Sequence, residues 1–550
     1  MSDVGAARSR SWIGRWLFDV CRAAVLAMII VRTFAPLLGL RLLGKRHPPE
    51  VIGERVRMAF ERLGVTYLKL GQFLAMRFDI LPEEVCRELA RLFDEVPPMA
   101  LQDVVRTIEE ELGASPDVIF VEFENEPLAA ASIAQVHRAV VPGGGEVAVK
   151  VQRPRIREIF AADIRNLKRL AAIGDALRLL GPTSVRGTVE EFRRFTSREM
   201  NFVTEGRTAE RLRRNVGPFD DVPDVYWDYT TERVLTMEFV DAPSLAQILH
   251  AMEEGETKMP AGTDPQQMME NLADATLRQL FVTGFYHADP HPGNILIRPD
   301  NTVVFVDFGI FGQFAPDRRE MFASFIEDNA TGNIEEAYRR FMPLLEPTAE
   351  TDLRKLRVDI QKNMRDWYDA SRDSFTPLEN RHLGAFFGKF ITIVRRNKVR
   401  MALDTLLFWR TLVVLDATAL RFSAQFDLLA HLRGFFERER PSPMERILTA
   451  LTSRDTVRDV AALARNAPRD MQQQLANADE PRPRLTIRHG DARQRARAAN
   501  DDARRIAAAV VALAMLLLLT GARIHPIGEV MIWTTLASTA AALWMRRASS

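Results

Sequence analysis

The sequence predicts an α+β protein of two lobes, with a helical extension before them and a transmembrane helical hairpin after them. Three observations carry this. Period-two alternation of apolar and polar residues begins near 119–123 and returns at 147–151, the pattern of half-buried strands. After Met237 the chain reads mostly as helix, broken by short apolar runs at 295–297 and 303–306. Near the C-terminus, 506–522 and 530–545 are almost wholly apolar, each at the short limit for a bilayer span.

Taken in order, residues 1–50 form a basic and apolar segment. Arg8, Arg10 and Arg15 precede an apolar stretch at 23–31 bracketed by Arg22 and Arg32. That stretch is too short to span, so it reads as an interfacial or partner-packing helix, with a signal anchor as the alternative. Residues 51–117 are a helical extension, in which Val56, Phe60, Leu63, Tyr67 and Leu70 return at three- and four-residue steps. The small sheet-containing lobe occupies 118–240, with the turn chemistry of 142–145 between its strands. The helical lobe occupies 241–464. Residues 465–505, rich in Arg, Asp, Gln and Pro, lack an apolar face and read as a charged, solvated linker. The hairpin follows over 506–547, with a buried soluble helix pair as the alternative. Arg504 and Arg505 before it and Arg546 and Arg547 after it predict both ends on the cytoplasmic side of a bacterial-type plasma membrane.

Composition narrows the classes. In 550 residues, 47% are hydrophobic and 27% charged, which excludes disorder across most of the chain. A net charge of +1 gives no electrostatic case for nucleic acid. Cys21 and Cys86 are too far apart in sequence for a thiolate metal motif and too few for a disulfide framework.

The chemistry concentrates in His287-Ala-Asp289-Pro-His291-Pro-Gly-Asn294, then Ile-Leu-Ile, a turn through Pro299, Asp300 and Asn301, Val-Val-Phe-Val, and Asp307-Phe308-Gly309. Two strands joined by a turn carry Asp307 back beside Asn294. The pair supplies the hard oxygen ligands that Mg²⁺ prefers. Asp289 would lie at the same mouth, to orient or deprotonate an attacking hydroxyl or water. An Asp with an Asn five residues on and then Asp-Phe-Gly matches the order and spacing of the kinase template. Upstream, Val147-Ala-Val-Lys150-Val alternates like the strand whose lysine holds the α- and β-phosphates of ATP. Lys150 needs a carboxylate, and the helix-compatible stretch 198–205 offers Glu205. In place of a glycine-rich loop the chain has Ala129-Ala130-Ala131-Ser132, where methyl groups replace bare backbone. With Lys150, Glu205 and Glu238, these four complete the expected ATP-binding set.

With these motifs the chain resembles the UbiB family of atypical kinases, also called the aarF-domain or ADCK family, from about Val51 to beyond Gly312. Lys69-Leu-Gly71-Gln72, the alanine-rich loop, Val-Ala-Val-Lys150, the Asp289–Asn294 segment and Asp307-Phe-Gly309 carry the resemblance. It implies a two-lobed protein-kinase-like fold. It also implies that Lys69 and Gln72 fold over the active site and block protein substrates, and that ATP with Mg²⁺ is the cofactor. One departure stands out: the family usually has Glu-x-Asp where this chain has Glu199-Met200-Asn201, which puts the regulatory or metal role of that position in doubt. Support of ubiquinone or another isoprenoid quinone or lipid pathway is implied, with membrane lipids, quinone-biosynthesis enzymes or isoprenoid intermediates as partners. The rivals are a conventional protein or small-molecule kinase and a catalytically silent scaffold.

Overall fold

The computed structural model describes residues 12–42, 48–93, 97–176, 184–253, 263–373, 376–377, 382–422 and 426–439. The linker expected over 465–505 and the hairpin expected over 506–547 lie outside these residues. Among the described residues, no helix is long and apolar enough to cross a membrane. One compact unit comprises Met1–Ala172 and Arg178–Glu437, and Ile173–Leu177 with Arg438–Ser550 form a second. The first unit holds every site below.

The extension starts with α1 (Trp12–Leu42), longer than its apolar stretch predicts, followed by α2 (Pro49–Leu63), α3 (Val65–Ala75) and α4 (Glu83–Ala90). One face of α1 buries Leu26 and Ile29, while Val25, Met28 and Val31 stay exposed. Arg22 donates to Asp163 at 2.9 Å and Arg165 to Asp19 at 2.7 Å, so α1 packs within its own chain. The extension is further pinned by Arg77, only 1% exposed, which donates to both oxygens of Asp79 and pairs with Glu191.

After α5 (Leu101–Leu112) comes the small sheet, built from β1 (Glu122–Phe123), β2 (Ala129–Ala130), β3 (Ala134–Val140), β4 (Glu146–Gln152) and β5 (Val234–Glu238). Its antiparallel order is β1-β3-β4-β5, with β2 paired to β3. Val147, Val149 and Val151 point to a core shared with Val104 and Ile108 of α5. A strand alternates its side chains between faces, so Lys150 is turned the other way. β3 is a strand beyond the two stretches, 119–123 and 147–151, at which the sequence shows alternation. Its polar residues are buried, but Gln135 and His137 satisfy each other at 2.9 Å, and His137 reaches the Glu124 carbonyl at 2.7 Å. Between β4 and β5 lie α6 (Ile156–Ala176), α7 (Val185–Glu199) and α8 (Phe202–Arg213).

The helical lobe begins with α9 (Leu245–Glu253) and α10 (Pro265–Arg278). A set of short strands follows: β6 (Phe285–His287), β7 (Ile295–Ile297), β8 (Val303–Phe305) and β9 (Phe311–Gln313). Then come α11 (Pro316–Thr331), α12 (Ile334–Phe341), α13 (Leu353–Arg372), α14 (Leu383–Arg396), α15 (Leu403–Phe422) and α16 (Leu428–Glu439). Aromatic residues dominate this core, with Trp409 fully buried against Phe387 at 5.0 Å between ring centroids.

Candidate active site

The site forms where β4 of the small lobe meets the β7–β8 hairpin of the helical lobe. That hairpin pairs Ile295 with Phe305 and Ile297 with Val303. Asn301 adopts φ +66° in its turn, a conformation asparagine tolerates better than most residues. The Val306 amide donates to Asn294 O at 2.9 Å, which sets Asp307 immediately beyond Asn294. Asp307 itself has φ +62°, a backbone strain of the kind that collects at working sites.

Lys150 is buried on its strand and donates to Glu205 at 2.6 Å and to Asp307 at 3.3 Å. Burial alone would pull the amine down, but Asp307 and Glu205 outweigh it and hold Lys150 above the ordinary lysine range. Glu205 is pushed up by burial, against the opposing pull of Lys150. Asp307 is held well below the usual carboxylate range, because Lys150, the Gly309 amide and Lys69 together outweigh its desolvation. Its side chain is 48% exposed, whereas Glu205 is 1% exposed. The cluster is therefore closed beneath and open where a ligand would enter.

The stretch 198–205 is not one helix. It breaks at Met200, and Asn201 caps α8 by accepting from the amides of Val203 at 3.1 Å and Thr204 at 3.3 Å. The break sends two glutamates to neighbouring places: Glu205 to Lys150, and Glu199 into an ion pair with Lys69 of α3. A Cβ at Gly309 would lie 3.1 Å from Glu199 Cγ and 3.3 Å from Asp307 Oδ1, so a larger residue there would press on both carboxylate side chains. Gly71 has a similar reason, since a Cβ there would collide with Leu92. Gln72 donates to Leu92 O at 3.4 Å, and does not reach the cluster as Lys69 does. Gly206, next to Glu205, faces Trp227, which a Cβ would approach to 3.0 Å.

The loop that carries Asp289 and Asn294 is braced by groups with no freedom of role. His287 Nε2 faces the Asp307 carbonyl at 2.7 Å, and its Nδ1 receives the Asp289 amide at 3.2 Å. A carbonyl only accepts and an amide only donates, so the neutral ring carries its proton on Nε2. Burial lowers the pKa of His287 in the same sense. His291 Nδ1 receives the Gly293 amide at 3.2 Å, and Asn294 Nδ2 donates to Asp289 O at 3.2 Å.

Two participants escaped the sequence. Arg410 of α15 donates to Asp289 Oδ1 at 2.6 Å and reaches Met76 Sδ at 2.9 Å, just past α3. Gln279 accepts from the His287 amide at 2.9 Å. Neither lies in a motif; a one-turn π-helix over Gln279–Thr283 is a feature often seen at functional sites, but it is not legible from residues. The alanine-rich loop and Glu238 make contacts of their own. Ala129 and Ala130 are tied into β2, and the Ala131 amide turns to Ala134 O at 2.8 Å, with Ser132 at the tip. Glu238, at the end of β5, accepts from the Asp224 amide at 3.3 Å.

Among the described residues no three His, Cys, Asp or Glu side chains form a metal cage. A divalent ion here would take Asp307 and Asn294 oxygens with phosphate and water, a donor set of the hard type that suits Mg²⁺.

A family model for the ABC1 atypical kinase-like domain matches residues 91–340. The chloroplastic Protein ACTIVITY OF BC1 COMPLEX KINASE 7 of Arabidopsis thaliana is 35% identical over 56% of this chain and 43% of its own length. A "Probable protein kinase UbiB" of Pseudomonas fluorescens (strain Pf0-1) is 31% identical over 78% of this chain and 80% of its own. The chain thus spans less than half of the plant relative and four-fifths of the bacterial one. The solved Rv3197–erythromycin complex from Mycobacterium tuberculosis is 21% identical, with a TM-score of 0.45 over 63% of this chain and 84% of that one.

Proposed function

The chain belongs to the UbiB family of ABC1 atypical kinase-like proteins, and on that premise we propose that it is a membrane-anchored, MgATP-dependent phosphotransferase or ATPase. The observation that carries this is the contact of Lys150 with both Glu205 and Asp307, which joins the two lobes at one charged centre. MgATP, when bound, supplies the phosphoryl group and neutralises charge as it moves. Lys150, held rigid by Glu205, binds phosphate oxygens. Asp307 and Asn294 are the residues for the metal. Asp289 orients the attacking hydroxyl or water and takes its proton on Oδ2, since Arg410 occupies Oδ1.

Service to ubiquinone or another isoprenoid quinone pathway is supported by family membership, and anchoring by the apolar runs at 506–522 and 530–545. A second reading, a catalytically weak scaffold, is favoured by the Arg410–Asp289 ion pair, which ties up the candidate base. The test is ADP release from MgATP by the full chain in liposomes, with and without quinone-precursor analogues. Turnover that rises with anionic liposomes or analogues is the expected result. Nucleotide binding without turnover would select the scaffold, and equal rates with and without membranes would remove the membrane part.

A further inference from the structure

Away from the cleft, α13 and α14 pack side by side, with Asn363 donating to Phe386 O at 3.3 Å. Between their outer faces runs a solvent-open groove of about 510 Å³, bordered also by Glu83 of α4. Lys355 and Lys362 line it from α13, and Lys389 and Arg396 from α14. Within each pair the residues are seven positions apart, so they return to one helix face after two turns. Four cations therefore converge on one concavity, and among the described residues none of them has an ion-pair partner.

The acids of the groove do not cancel this charge. Glu83 accepts from Arg87 at 2.8 Å, and Asp359, although it accepts from the neutral Asn397 amide at 3.1 Å, keeps its charge, so Asp359 and Asp366 stand as two carboxylates against four cations. The floor gives a second, independent observation. Gly388 lies inside α14, where glycine weakens a helix relative to alanine. A Cβ at that position would meet nothing within 4 Å. No packing neighbour requires the glycine, and its effect is to leave the groove floor bare.

We infer that this groove binds a phosphorylated polyol. Phosphate oxygens suit the four cations, and hydroxyls suit Asp366 and Thr392 beside them. No aromatic side chain lines the groove to stack a nucleobase, so a nucleotide fits less well. Such a ligand is either a soluble inositol or sugar phosphate or the headgroup of a phosphoglycerol lipid.

The full chain is titrated calorimetrically with inositol trisphosphate. It is also floated with phosphatidylcholine vesicles with and without phosphatidylglycerol. Lys362→Gln combined with Lys389→Gln should weaken binding about fivefold for each cation removed. Gly388→Leu, which changes no charge, should weaken it at least as much by filling the floor. Loss of trisphosphate binding alone assigns the soluble ligand, whereas loss of vesicle binding that the trisphosphate competes with assigns the lipid. Arg354→Gln with Arg365→Gln, on the same helix outside the groove, should change neither. An equal effect of that control pair, an unaltered Gly388→Leu variant, or no binding of either probe overturns the assignment. Unchanged melting temperatures confirm that the variants are folded.

Discussion

Two lysine–glutamate pairs sit on either side of Asp307, and they are built in opposite ways. Lys150 and Glu205 both belong to the small lobe, on a strand and on the first turn of a helix, and meet in a buried pocket. Lys69 comes from the N-terminal extension and must cross to Glu199, 130 residues away in sequence, to make its pair. The first pair is part of the machinery that any kinase-like fold needs. The second is an addition, a cap that places an extra positive charge near Asp307 and lowers its pKa further. Five residues and one helix break separate the two glutamates, and the capping residue Asn201 sits at that break.

The largest effect should come from the built-in pair. Lys150→Met is expected to lower MgATP turnover by roughly a hundredfold or more, the scale of removing one preorganised electrostatic group. Lys69→Met should leave turnover within about tenfold and admit generic protein substrates, as loss of a cap rather than of machinery. Phosphate release and labelling of a generic acceptor protein check both, and equal losses would erase the distinction between the pairs.

Next in size is the attachment of the extension. Arg77→Ala strands Asp79 and Glu191 without their cation, and breaking a buried pair in this way costs about 3–5 kcal/mol. A large fall in denaturant midpoint is expected, and a change under about 1 kcal/mol would mean that the cap is held elsewhere.

A smaller loss, about 1 kcal/mol, is expected for Asn201→Ala, the typical cost of removing a helix N-cap. Asn201→Asp retains a capping oxygen and should restore the stability. If the aspartate variant instead changes Mg²⁺ dependence with no change in stability, the position serves the metal and not the helix.

The smallest effect is the pH response of His287. Its folded pKa is lowered by burial, so below the ordinary histidine value the unfolded chain binds a proton that the folded chain refuses. Stability should therefore fall as pH drops through about 6.5, a reference value for free histidine. The ring resonances of His287 should show the neutral form with the proton on Nε2 at pH values where exposed histidines are already half charged.

Much of the site was legible because its pieces are local. The Asn294–Asp307 hairpin is two apolar runs and a turn, and Lys150 follows from alternation along one strand. What stayed hidden depends on distance or on burial of polar groups. Arg410 lies 121 residues from Asp289, on a helix whose neighbours Phe408, Trp409 and Leu412 read as core. β3 gives no strand signal of its own because Gln135 and His137 break its apolar pattern, and their mutual hydrogen bond is what allows them to be buried. The stretch 198–205 has no proline or glycine before Gly206 to announce a break, and the capping geometry of Asn201 becomes visible only in three dimensions.

The central claim, that Lys150, Glu205, Asn294 and Asp307 form a MgATP site, is tested most directly by calorimetric titration of ATP with and without Mg²⁺ into the wild type and Asp307→Asn. The account predicts that Mg²⁺ tightens ATP binding to the wild type and that the variant, still folded and still binding ATP, loses that increment. An identical Mg²⁺ response in both proteins would contradict it.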